Sequence, residues 1–228
     1  MKSYPKKATE RFDTANFHIN YCLSFMKKYI GKKVLEIGAG CGSFSKNYIK
    51  KNNQVTLTEL DEKNILDLKE KFSNFKNIKV DKKPIKKVKG NFDSILYLHV
   101  LEHIKNDNKE LAEANKRLKK GGYLIIMVPA HPKIYSNLDK AVGHYRRYEK
   151  KFFKKNLHNL SRQRLLFLDS IGYWLYYFNK IFFKKEVFPS NLKIFIWDKF
   201  FTPLTIILDF LTNYKFGKCI LAVYKKNI

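Results

Sequence analysis

Two groups of residues in this chain are of types and spacings that could do chemistry. The first is Glu36-Ile37-Gly38-Ala39-Gly40-Cys41-Gly42, followed at a distance by Glu59. Glycines let the chain turn tightly and let backbone approach a ligand with no Cβ in the way. Amides at the start of a following helix then face that ligand. Glu59 stands nineteen residues beyond Gly40 (59 − 40 = 19). That is close to the offset of about 20 at which a carboxylate accepts hydrogen bonds from ribose hydroxyls. The second group is Pro129-Ala130-His131, then Tyr135-Ser136-Asn137-Leu138-Asp139, then Gly143-His144-Tyr145-Arg146-Arg147-Tyr148. Imidazole titrates near neutral pH and suits removal of a proton from a hydroxyl or amine, which makes His131 and His144 candidate bases and His103 a third. Arg146 and Arg147 could clamp a phosphate or carboxylate through paired hydrogen bonds. The bland alternatives are a structural loop histidine and an Arg-Arg pair packed between tyrosines at a helix start. No His/Cys/Asp group has the sequence spacing of a metal site, so no metal is expected.

The elements that must position these residues follow from the apolar pattern. Phe17 to Ile30 has roughly helical spacing and ends at Gly31. Strands are predicted at 34–37, 54–60, 78–80, 92–98 and 123–128, with helices over 43–51, 62–73 and 107–119 between them. The last of these helices is expected to be capped by Gly121-Gly122. That rhythm predicts right-handed βαβ units and a parallel sheet. Residues 129–150 have no clear periodicity and read as a long loop at a strand end, where ligands of such sheets bind. Residues 150–160 read as helical, and strands six and seven are expected at 164–169 and 218–224. Between them, residues 173–216 hold 15 of the 35 aromatic residues (19 Phe, 14 Tyr and 2 Trp). Their uncharged runs are too short for a membrane span. A lid, an oligomer interface or a patch lying on a bilayer surface remain as readings of that stretch, beside an ordinary buried helix with a solvated face.

At 228 residues the chain suits one domain over 1–228, with a cofactor-binding core at 30–130, an acceptor loop at 129–150 and the aromatic insertion at 173–216. The net charge of +26 would attract polyanions or an anionic membrane. Only six of the 46 basic residues are Arg, however, and scattered lysines make a solvated surface better than a recognition groove. Specific nucleic-acid binding is therefore not expected. Cys22, Cys41 and Cys219 are too far apart for a disulfide framework and read as free thiols. With no apolar leader at the N-terminus, the expected location is cytoplasmic, including the inner membrane face.

The spacing ExGxGxG departs from the dinucleotide pattern, which would need glycine at Ser43 or Ser45, and resembles motif I of the class I S-adenosylmethionine-dependent methyltransferases. Asn91 to Ile104, with its Leu101-Glu102-His103-Ile104 ending, resembles that family's fourth strand and following loop, and Leu118 to Leu124 its next helix-turn-strand segment. The resemblance covers about residues 30–130. It implies a Rossmann-like α/β fold whose seven-stranded sheet is mostly parallel, with an antiparallel last strand and the helical aromatic insertion before it. It implies S-adenosyl-L-methionine as cofactor, with Glu36 helping to hold the methionine moiety and Gly38, Ala39, Gly40 and Gly42 wrapping it. Glu59 would meet the ribose and Asp81 lie near the adenine amine, with Leu60 and His99 in the same cofactor-binding set. The 129–148 segment resembles a subgroup linked to glycan or cell-envelope biosynthesis. It implies a small-molecule, glycan or lipid-linked acceptor, with His131, His144 and Arg147 as the catalytic set. An RNA or protein methyltransferase and a noncatalytic cofactor-binding or membrane-surface protein are the competing readings.

Overall fold

The computed structural model describes residues 11–51, 53–154, 157, 160–182 and 188–227. After helix α1 (Asn16–Ser24) and a 3-10 turn at Lys27–Tyr29, the chain alternates β1 (Lys33–Ile37), α2 (Ser45–Tyr48), β2 (Gln54–Thr58), α3 (Glu62–Lys71), β3 (Ile78–Asp81), β4 (Phe92–Leu98), α4 (Asp107–Arg117) and β5 (Leu118–Pro129). Then come α5 (Asn137–Ala141), β6 (Leu160–Leu168), α6 (Ser170–Phe182), α7 (Asn191–Ile196), α8 (Thr202–Leu211) and β7 (Cys219–Lys226). A π-helical turn at Trp197–Phe201 joins α7 to α8.

The seven strands form one sheet in the order β3-β2-β1-β4-β5-β7-β6. The first five pair in parallel, and β7 runs antiparallel to both β5 and β6. This is the Rossmann-like architecture expected, with a reversed last strand. Because side chains alternate across a strand, Leu35, Ile37, Ile95, Tyr97, Leu124 and Ile126 enter one core with Leu111 and Ala114 of α4. Val34, Leu96, Leu98, Ile125 and Met127 enter the other, with Leu23 and Met26 from the α1 segment. Both faces are thus covered, as a parallel sheet requires. The chain leaves β1 toward β2 on one side and later returns to β4 on the other. That change of direction opens a crevice at the strands' carboxyl ends.

Several boundaries differ from expectation. Helix α2 is a single turn because Ile49 is already extended, and Asn53 ties the following turn to the Gly31 carbonyl at 2.7 Å. Strand β2 stops at Thr58, leaving Glu59 in the loop beyond it. Gly121-Gly122 is no helix cap: β5 has already begun at Leu118, which pairs with Phe92. Gly121 sits at φ +74° where the β4–β5 register shifts, and a Cβ on Gly122 would lie 2.9 Å from the Asp93 carbonyl. Residues 129–150 are not irregular but hold a 3-10 turn at Pro132–Ile134 and α5, whose capping box pairs Ser136 with Asp139. Among the described residues of the helix expected over 150–160, a 3-10 turn forms at Lys150–Phe153. Residues 155, 156, 158 and 159 lie outside the described residues, and β6 begins at Leu160, where a shift between Arg162 and Arg164 obscures its alternation.

Candidate active site at the carboxyl ends of the strands

The glycine turn forms where β1 ends. Ala39 donates its N–H to the Thr58 carbonyl at 2.9 Å, tying the turn to the end of β2. Gly38, Gly40 and Gly42 all have positive φ, at +63°, +57° and +79°. Their surroundings divide them. A Cβ on Gly38 would lie 2.9 Å from Val100, and one on Gly42 3.0 Å from Leu68 and Phe72. A Cβ on Gly40 would meet nothing within 4 Å. Gly38 and Gly42 therefore pack the turn against its neighbours, while Gly40 faces open space.

Glu59 reaches across to that open space. Its Oε2 accepts from the Gly40 N–H at 2.9 Å, and its Oε1 from Leu60 and Asp61 amides at 2.6 and 3.0 Å. A carboxylate has about four lone-pair sites, so three are already used in shaping the loop. The side chain of Leu60 is exposed and Ala39 is buried. Asp81 lies next to Glu59 at the strand ends, its carbonyl accepting from the Glu59 N–H at 3.2 Å. The Asp81 carboxylate pairs with Lys79 at 3.0 Å and Lys83 at 3.8 Å. Glu36 is buried beneath the turn. Its Oε2 accepts from Ser45 Oγ at 2.6 Å and Tyr48 OH at 2.7 Å, fastening α2 to β1. Burial pushes the Glu36 carboxyl up to about 7, against the pull of those two hydroxyls.

His99 follows β4 at φ +57°, held by its N–H to the Met127 carbonyl at 2.8 Å. Burial opposes a charge on its ring, yet the Cys219 sulfur and the Glu102 carboxylate outweigh this and raise its pKa. The 3-10 turn Leu101–His103 then brings Glu102 and His103 forward, and Tyr145 clamps the acceptor loop onto it through an N–H to the Glu102 carbonyl at 2.8 Å. His144 completes the group. Its Nδ1 donates to Asp139 Oδ1 at 2.7 Å, while Nε2 lies 3.8 Å from Glu102 Oε1. The rings of His103 and His144 meet edge to face, 4.6 Å between centroids. Sequence spacing gave no sign of such a group, but the fold places ligand atoms of Glu102, His103 and His144 within 4.8 Å of one another.

Of the other two residues of the expected catalytic set, Arg147 joins His144 through their shared partner Asp139, and His131 sits apart. His131 donates from Nε2 to the Gly217 carbonyl at 2.9 Å and stacks on Phe167, 5.1 Å between centroids. Burial lowers its pKa. Its ring partners, which include Tyr173 and Phe216, belong to the aromatic wall rather than to the His103–His144 group. Arg147 is buried, with Nε 2.9 and 3.0 Å from the two Asp139 oxygens and one terminal nitrogen 3.2 Å from the Ala130 carbonyl. Its guanidinium lies 4.2 Å from the centroid of the Tyr176 ring. Arg146 bonds Asp107 at 2.5 Å and the Lys105 carbonyl at 2.8 Å. Both arginines therefore fasten the loop, Arg146 through Asp107 and Arg147 through Asp139.

Asp139, Glu102 and Asp107 are the residues whose importance sequence reasoning missed. Asp139 is almost wholly buried and also accepts from Tyr176 OH at 2.6 Å and the Ser136 N–H at 2.9 Å. Burial opposes its charge, but His144 and Arg147 hold its carboxyl far below the usual range. Its signal was there to read in Ser136-Asn137-Leu138-Asp139, the spacing of a capping box. A pocket of about 470 Å³ at the opposite ends of β1–β3, lined by residues such as Lys33, Gln54 and Asn77, is remote from this constellation.

A family model described as a methyltransferase domain matches residues 19–180. The chain belongs to that family. It is an enzyme whose methyl donor is S-adenosylmethionine, in keeping with the open face at Gly40 and the carboxylate beside it. No curated protein matches the sequence. Among solved structures, coclaurine N-methyltransferase bound to N-methylheliamine and SAH is similar, at 17% identity and TM-score 0.63 over 92% of this chain and 72% of that one. The N-methyltransferase NodS from Bradyrhizobium japonicum has 13% identity and TM-score 0.57 over 92% and 94% of the two chains. The [4+2]-cyclase SpnF also has this fold, at 11% identity and TM-score 0.63 over 92% of this chain and 81% of that one. The shared fold alone therefore names no acceptor.

Proposed function

We propose that the enzyme methylates a lipid-linked or similarly small acceptor while lying on an anionic membrane surface. The observation that carries this is the reversed polarity of the helices between β6 and β7. In α8 the buried positions are Thr202, Thr205 and Asp209, while Leu204, Ile207, Leu208, Phe210 and Leu211 are exposed. Asp209 faces inward to accept from Tyr21 OH at 2.6 Å and the Asp169 and Ser170 amides at 2.8 and 3.0 Å. Helix α6, packed against α8, exposes Trp174, Tyr177, Phe178 and Ile181 at helical spacing, and α7 exposes Leu192, Phe195 and Ile196. An apolar outer face of this extent marks an interaction surface. With Lys193, Lys199 and Lys215 exposed among these residues and a net charge of +26, the matching partner is a bilayer carrying anionic lipids. Among the described residues no helix is long and apolar enough to cross a membrane.

At the site, Gly40 would let backbone approach the cofactor, Glu59 would accept from its ribose, and Asp81 would stand near its adenine. Glu36 would act from below, holding α2 in place. Methyl transfer from a sulfonium is an in-line displacement that depends on positioning. The group meeting the acceptor would be Glu102, His103 and His144, with Asp139 fixing the His144 ring. The test is sedimentation with vesicles. Binding to vesicles with anionic lipid, lost in a Phe210→Glu/Leu211→Glu variant that melts like the parent, is expected. Equal recovery of parent and variant in the supernatant would overturn the membrane reading.

A further inference from the structure

We propose that Glu102, His103 and His144 form a binding site for a divalent first-row transition-metal ion. The proposal deepens the reading that this group meets the acceptor, but it rests on its own geometry. Glu102 is wholly buried, and both of its carboxylate oxygens lack a hydrogen-bond partner. Its nearest cationic or imidazole atoms are His99 Nδ1 at 3.6 Å and His144 Nε2 at 3.8 Å, both beyond hydrogen-bond reach. His99 offsets part of the Glu102 charge across that gap, and with neither oxygen hydrogen-bonded the carboxylate keeps lone pairs for a metal.

The two imidazoles are prepared as ligands. His144 gives its Nδ1 proton to Asp139, so Nε2 is the nitrogen directed at Glu102. This carboxylate–histidine arrangement is the support that metal-ligating histidines usually have. His103 likewise donates to the Gly143 carbonyl, and Gly143, at φ +81°, lets the chain turn close over that ring. His144 is thus oriented through Nδ1 with Nε2 toward Glu102, and a ring nitrogen of His103 lies within 4.8 Å of both.

Distances fit after a small closure. Bonds of about 2.1 Å in tetrahedral geometry put neighbouring ligand atoms about 3.4 Å apart. Glu102 and His144 are 3.8 Å apart, and all three ligand atoms lie within 4.8 Å of one another. Two imidazoles with one carboxylate suit zinc, iron or a neighbouring first-row ion better than calcium or magnesium. Three protein ligands would leave open positions for oxygens of a bound molecule.

The test is titration of the full chain with Co²⁺ alone, without cofactor, read by visible absorption and by equilibrium dialysis. One saturable equivalent with intense d–d bands is expected, together with a melting temperature that rises with Co²⁺. Glu102→Gln and His103→Gln should each weaken binding at least tenfold while keeping the parent's circular dichroism. Absence of saturable binding, or binding undiminished in both folded variants, would overturn the proposal. Failure here would leave cofactor binding untouched, and failure of cofactor binding would leave this result standing.

Discussion

Replacing Arg147 with alanine separates a structural arginine from an anion clamp. Arg147 is buried and holds both oxygens of a buried carboxylate at 2.9 and 3.0 Å. Removing one partner of such a pair costs about 3–5 kcal/mol because the other charge is left behind. Asp139 would keep His144, Tyr176 and the Ser136 amide, which places the loss near the lower end, about 3 kcal/mol. For a chain of this size that is a fall in Tm of about 6–12 °C. Thermal and urea unfolding at neutral pH measure it. Acid unfolding adds a second reading. The folded Asp139 carboxyl is held below its ordinary value, so its contribution is full above about pH 5 and drains away as the pH falls. Without Arg147 the folded carboxyl lies closer to its ordinary value, so the loss begins at the same pH but is smaller and is complete at a higher pH. A drop of less than about 1 kcal/mol with loss of turnover alone would refute this reasoning and restore the clamp.

Two further changes probe the frame around the site. Burial holds the Glu36 carboxyl near 7 in the folded chain, so the native state binds more protons than the unfolded one and stability declines as pH rises from about 4.5 through 7. Glu36→Gln should flatten that decline and gain about 1–3 kcal/mol at pH 8, measured by urea unfolding across pH; an unchanged slope would mean that the carboxyl titrates normally. Asp209→Ala should lose about 2–4 kcal/mol by stranding the Tyr21 hydroxyl and two amides, whereas Ile207→Lys on the opposite, exposed face should change stability by less than about 0.5 kcal/mol.

How far these features were legible varied with the kind of signal. The glycine turn, Glu59 and the alternating strands could be read because backbone conformation and burial leave local traces in residue type. The Gly121-Gly122 pair misled because a glycine bulge inside β5 and a helix C-cap demand the same positive φ. The Arg146-Arg147 pair was read as a clamp because sequence shows a donor without showing which carboxylate the fold will bring to it. Asp107 lies 39 positions from its partner Arg146 (146 − 107), while Asp139 lies eight from Arg147 (147 − 139). Glu102 and His144 are likewise joined only by folding. The apolar outer face of α8 was hidden for a different reason: periodicity shows that two faces differ, not which one is turned inward.

The central claim is that the turn at Gly40 cradles S-adenosylmethionine, and calorimetric titration with S-adenosylmethionine and S-adenosylhomocysteine tests it most directly, with NAD as control. Because a side chain on Gly40 would project into open space rather than into protein, a Gly40→Val variant that keeps the parent's circular dichroism should lose the ligand. One-to-one binding of both sulfur ligands by the parent, absent in the variant and absent for NAD, is the predicted result. No binding by the folded parent, or equal binding by the variant, would contradict the account.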